Sequence, residues 1–173
     1  MAGPAASEFL NGNDASLARD WGRCKSHPIK ETYYNLERLN SGNEEIISDA
    51  SECLANISFK EPFAIRDANA LPDIIRVATT NIDPDNWWQR WAQEQCCRAL
   101  RGQTKEDEGC QALWESGAVE KLAEMAETAY AKHRSWAMST LRAVGYDCEE
   151  LDQRAYQLAA EREEQDKLQD SVS

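Results

Sequence analysis

The residues of this chain best suited to nucleophilic, redox or metal chemistry are six cysteines and two histidines. The cysteines are Cys24, Cys53, Cys96, Cys97, Cys110 and Cys148, and the histidines are His27 and His133. Their spacing is unfavourable for all three chemistries. No CxxC pair occurs, and adjacent residues on one helix, such as Cys96 and Cys97, point about 100° apart, which disfavours a shared metal. Neither histidine stands in a recognisable pattern with a serine or cysteine nucleophile. There is no HExxH, EF-hand or glycine-rich phosphate loop. Acid pairs such as Glu44-Glu45 and Glu163-Glu164 read as solvated helix charge. No catalytic residue, metal, cofactor or small-molecule substrate is therefore expected, and a helical-repeat enzyme with carboxylate chemistry is a remote alternative. Cys53, Cys96 and Cys110 fall at apolar positions of helical patterns, where a thiol behaves as a small hydrophobe. That usage fits a reducing, cytoplasmic compartment.

The elements around these residues read as helices. Ile29, Tyr33, Leu36 and Leu39 recur at spacings of three and four, after Pro28, a residue acceptable in a first helical turn. Asn40 to Asn43 stop that helix. Ile46, Ile47, Ala50, Cys53, Leu54 and Ile57 form the stripe of a second helix, Glu44 to Ser58. A third helix is expected over Pro62 to Asp67, and a fourth from Leu71-Pro72. Asp83-Pro84-Asp85 reads as the start of the next, as N-cap, first-turn proline and acid. In that helix Trp88, Ala92, Cys96 and Ala99 form a buried face, and Gly102 closes it. Further helices are expected over Asp107 to Glu115, Val119 to Tyr130 and His133 to Val144, with Gly145 as a stop. A charged helix follows over Glu149 to Gln169. No stretch alternates with period two, so no sheet is expected. Residues 1–27 read as a flexible arm, 28–147 as the helical domain and 148–173 as a charged C-terminal helix and tail.

Composition narrows the partners. The net charge of −12 opposes binding to nucleic acid and to anionic membranes, and suits a basic protein partner or plain solubility. No apolar run reaches the ~20 residues of a membrane helix, so membrane insertion is not expected. Met1 to Asn13 shows no basic stretch followed by an apolar core, so no secretory leader is expected.

The helical signals recur. Ala50 to Ile57 aligns with Cys96 to Gln103 and with Ala137 to Val144. Small residues stand three apart in each, and a leucine follows: Leu54, Leu100 and Leu141. A second signature pairs Ile65 to Pro72 with Leu113 to Glu120, each helix ending at a residue that accepts the left-handed conformation, Asn69 or Gly117. This pattern resembles the armadillo repeat, a close relative of the HEAT repeat, over roughly Ile29 to Asp147. The resemblance implies an all-α fold, a short right-handed helical solenoid of about three repeats. It also implies a non-catalytic protein–protein interaction module, or a structural subunit of a large assembly. In many armadillo proteins a ladder of asparagines grips an extended peptide. Asn56 stands at such a position, but Gly102 and Ala143 occupy the matching ones, and the flanking tryptophans are replaced by Glu52, Arg98 and Ser139. A groove for basic localisation peptides is therefore not expected, and Asn56 also reads as a helix-end cap. Three tryptophans crowd one turn: Trp88 or Trp91 can serve the core, while Trp87 lies on another face and can anchor a partner. Packing of all three between repeats is the plainer reading. The expected partner-binding residues are Trp87, Trp88, Trp91, Asn56, Arg98 and Arg101.

Overall fold

The computed structural model describes residues 27–157 apart from 84, 129, 130 and 155. The expected arm over 1–26 and the tail over 158–173 lie outside the described residues. Among the described residues eight helices follow one another: α1 Pro28–Leu39, α2 Glu44–Lys60, α3 Pro62–Asp67, α4 Leu71–Thr79, α5 Trp87–Gln103, α6 Asp107–Glu115, α7 Ala118–Thr128 and α8 Ala131–Ala143. Residues 149–154 are also helical. The fold is all-helical, with no strand among the described residues. No described helix is long and apolar enough to cross a membrane.

Local chemistry sets most of the boundaries. The Asn43 side chain accepts from the amides of Glu45 and Ile46 at 3.1 and 3.2 Å and starts α2, whose first turn carries Glu44 and Glu45. Prolines stand in the first turns of α1, α3 and α4, where a missing N–H costs nothing. Asn69 at φ 52° ends the α3 turn, and Gly117 at φ 70° does the same after α6. These are the left-handed positions that the two residue types accept with least strain. Gly145, at φ 78°, follows α8.

Three expectations change. The helix containing the tryptophans starts at Trp87, and its cap is Asn86, which accepts from the Gln89 amide at 3.2 Å. Asp83 instead accepts from the Asp85 amide at 2.9 Å in the preceding turn, while Pro84 lies outside the described residues. Gly102 does not close α5. It is buried inside the helix, and a Cβ there would stand 2.6 Å from the Ser58 hydroxyl oxygen. Glycine is present for a close approach, not for a turn. Asn56 caps nothing, because α2 continues past it to Lys60.

α2 lies on α5 and α5 on α8; α4 lies on α7, and α3 on α6. Helices α2, α3, α4 and α5 thus each rest on the helix three elements further on, while α1 packs on α2 and α3. One apolar cluster runs through the stack and includes the aligned residues Leu54, Leu100 and Leu141, all fully buried. Burying such a side chain contributes about 1.5–3 kcal/mol. Polar bonds across the stack share the same register. Ser58 Oγ donates to the Ala99 carbonyl at 2.6 Å, and Gln103 Nε2 donates to Ser58 Oγ at 2.7 Å, over 41 and 45 positions. Arg101 Nε donates to Ser139 Oγ at 2.9 Å over 38 positions.

Candidate partner-binding surface

α5 is the central helix, and neighbours cover most of it. Ala92, Gln93, Gln95, Cys96, Cys97, Ala99, Leu100, Gly102 and Gln103 are buried. Trp87, Trp91, Glu94, Arg98, Arg101 and Lys105 remain at least partly exposed. Their spacings of four, three, four, three and four trace one face of a helix and its continuation. The stripe joins an aromatic end to a basic end.

At the aromatic end Trp87 and Trp91, one turn apart, stack with ring centroids at 5.6 Å and planes at 11°. Trp88 meets Trp87 edge-on at 4.7 Å. Trp87 is 49% exposed and Trp88 37%. The expectation that Trp88 joins Ala92, Cys96 and Ala99 in the core thus holds only for those three. Trp88 lines a cleft of about 320 Å³ with Ile47, Val77, Ile82 and Ala92. At its rim Glu44 accepts from Asn86 Nδ2 at 2.9 Å and from Gln89 Nε2 at 2.7 Å. Those two amides, Asn86 first, hold the Glu44 carboxyl below its ordinary range. Gln89 Oε1 accepts from the Asp83 backbone amide at 2.9 Å, so one side chain ties the turn before α5 to the start of α2.

At the basic end Arg98 donates to Asn56 Oδ1 and to Gln95 Oε1, both at 3.0 Å. Its guanidinium lies 5.4 Å from the centroid of the Phe59 ring. Arg101 reaches Ser139 and the Thr104 hydroxyl. Lys105 Nζ donates to the Phe59 carbonyl at 2.7 Å and stands 4.9 Å from the same ring. Asn56 on α2 and Arg98 and Arg101 on α5 are therefore brought together, with Arg101 reaching α8 through Ser139, while the three tryptophans form a separate group at the other end of α5. Sequence reasoning missed Lys105 and Phe59. The continuing spacing 98, 101, 105 was the available signal for Lys105.

The thiols are poorly placed for chemistry. Burial pushes Cys96 up to about 12 and Cys97 higher still, which keeps both protonated and weakly nucleophilic at neutral pH. Cys53 is also raised by burial. His133 is buried, and its Nε2 lies 3.0 Å from the Arg90 carbonyl oxygen. Among the described residues no three His, Cys, Asp or Glu side chains converge as metal ligands do.

No family model matches the chain, and no curated protein matches it. Among solved structures it is similar to the crystal structure of an engineered protein from the Northeast Structural Genomics Consortium, with a TM-score of 0.59 and 20% identity. The match covers 86% of this chain and 64% of that one, so the chain corresponds to just under two thirds of its length. At that identity the likeness is one of fold alone.

Proposed function

We propose that the chain is a non-catalytic protein-interaction module, a short right-handed armadillo-like solenoid of about three repeats that docks a partner protein along α5. The solenoid reading is supported by the packing of α2 to α5 each on the helix three elements further on and by polar bonds in a register near forty residues, the period of such repeats. The observation that carries the binding reading is the α5 stripe. It presents stacked tryptophans and two arginines, the residue types that dominate binding hot spots, on a helix whose remaining residues from Ala92 onward are mostly buried. Lone exposed apolar residues are ordinary on a protein surface, but here the exposed Trp87 stacks on the partly exposed Trp91 and Trp88 lines an adjacent cleft. No cofactor belongs to this function. The described cysteines, Cys53, Cys96, Cys97, Cys110 and Cys148, are free thiols, which supports a reducing compartment.

The test is cross-linked affinity capture from an extract of the source cells, read by mass spectrometry, with the wild-type chain beside Trp87→Ala. A defined set of partners that is lost with the variant supports docking on α5. A set that the variant leaves unchanged sinks it.

A further inference from the structure

The basic end of α5 gathers three cations on one face, each bonded to neutral groups. The chain carries 31 acids against 19 lysines and arginines, so cations have abundant carboxylates to pair with. Four arginines do: Arg38 pairs with Asp49, Arg66 with Glu106, Arg76 with Asp73 and Arg142 with Asp152; Lys30, Lys60 and Lys121 stand singly on other surfaces. Arg98, Arg101 and Lys105 form no ion pair among the described residues. Their hydrogen bonds go to neutral acceptors only: two side-chain amides, two hydroxyls and a backbone carbonyl. Two of the three cations are also held against one ring, that of Phe59, which brings like charges together without a counter-ion.

Helix electrostatics explain only part of this. A base in the last turn of a helix is favoured by the dipole, which accounts for Arg101. Arg98 stands more than a turn before the end of α5, and Lys105 lies beyond it. The neutral hydrogen bonds fix the direction of each cation without neutralising it. The result is a preorganised strip of positive charge on an acidic protein, and that strip is complementary to carboxylates.

From this charge complementarity we infer that the partner segment lying against Arg98, Arg101 and Lys105 is an acidic peptide, rich in aspartate or glutamate, with its carboxylates on these three side chains. The inference rests on the reading of α5 as a docking surface, and it departs from the basic partner that net charge alone suggests. The guanidinium of Arg98, steadied by Asn56 and Gln95, is the natural first contact for a carboxylate.

The experiment uses the whole chain and a fluorescein-labelled peptide of six glutamates, read by fluorescence anisotropy at about 50 mM salt, where surface charge is least screened. Arg98→Gln combined with Lys105→Gln is compared with Lys30→Gln combined with Lys121→Gln, which removes the same charge from exposed lysines elsewhere. Thermal midpoints verify that both variants fold. The expected result is measurable binding that weakens about tenfold in the first variant and less than about twofold in the second. Absence of binding by the wild-type chain overturns the inference, as does equal weakening in both variants. Tighter binding of a six-nucleotide oligouridine than of the glutamate peptide overturns the assignment to a peptide. If the peptide fails while Trp87-dependent capture persists, only the charge of the partner is wrong and the docking surface stands.

Discussion

The Ser58 hydroxyl lies where the Cβ of any larger residue at position 102 would go, 2.6 Å from that point. The same hydroxyl donates to Ala99 and accepts from Gln103, so it cannot turn aside without breaking two buried bonds. Inside a helix, Gly→Ala ordinarily stabilises by about 0.5–1 kcal/mol. Here the steric conflict outweighs that gain. Gly102→Ala is expected to destabilise the chain by about 1–3 kcal/mol, measured as a lower urea midpoint with an unchanged slope. A stabilised variant would contradict the contact.

The start of α2 depends on one side chain. Asn43→Ala leaves the amides of Glu45 and Ile46 without their acceptor and is expected to cost about 1 kcal/mol. Asn43→Asp or Asn43→Ser should recover most of it, because both residues cap. Thermal unfolding of the three variants provides the comparison.

The buried thiols make stability depend on alkaline pH. A thiol whose folded pKa is raised binds its proton more tightly folded than unfolded. Its contribution is therefore complete below about 9, the value in the unfolded chain, and is lost as pH rises towards the folded value of about 12 for Cys96. For each such thiol the slope approaches about 1.4 kcal/mol per pH unit within that window. Chemical denaturation between pH 8 and about 10.5 should show a steeper loss in the wild type than in Cys97→Ala. Under native conditions at pH 8, a thiol reagent should leave Cys96 and Cys97 unmodified until the chain unfolds.

The Glu44 carboxylate offers a local titration. Its pKa is lowered by Asn86 and Gln89, so the interactions are present above the unfolded value of 4.5 and are lost as pH falls through the folded one. Carboxyl-carbon NMR should place Glu44 below 4.5, and Asn86→Leu should move it upward. A Glu44 titration indifferent to Asn86 would remove the link between α2 and the start of α5.

Much of the architecture was legible in local chemistry. The bounds of α3, the start of α4, and the left-handed positions Asn69 and Gly117 follow from prolines, caps and residues that accept positive φ. The aligned leucines 54, 100 and 141 were readable from periodicity alone, and all three are core. The misreadings share one cause, which is contact between residues far apart in sequence. Gly102 looked like a stop because glycine most often frees a dihedral angle, yet it answers to Ser58, 44 positions earlier. Asn56 looked like a helix-end cap, yet α2 runs on past it and its side chain accepts from Arg98, 42 positions later. The exposed stripe of α5 is what remains after α2, α4, α6 and α8 have covered the rest, and no single helix announces which neighbours it will acquire.

The register of the polar bonds across the stack also has a mechanical meaning. The bonds from α2 to α5 close loops of 41 to 45 residues, and those from α5 to α8 loops of 38 and 43. Every closure therefore has nearly the same entropic cost, since that cost grows only with the logarithm of loop length. A chain held by its two ends and pulled would release these loops one after another. Each helix pair that separates would lengthen it by a similar increment, on the order of 125–160 Å of extended backbone.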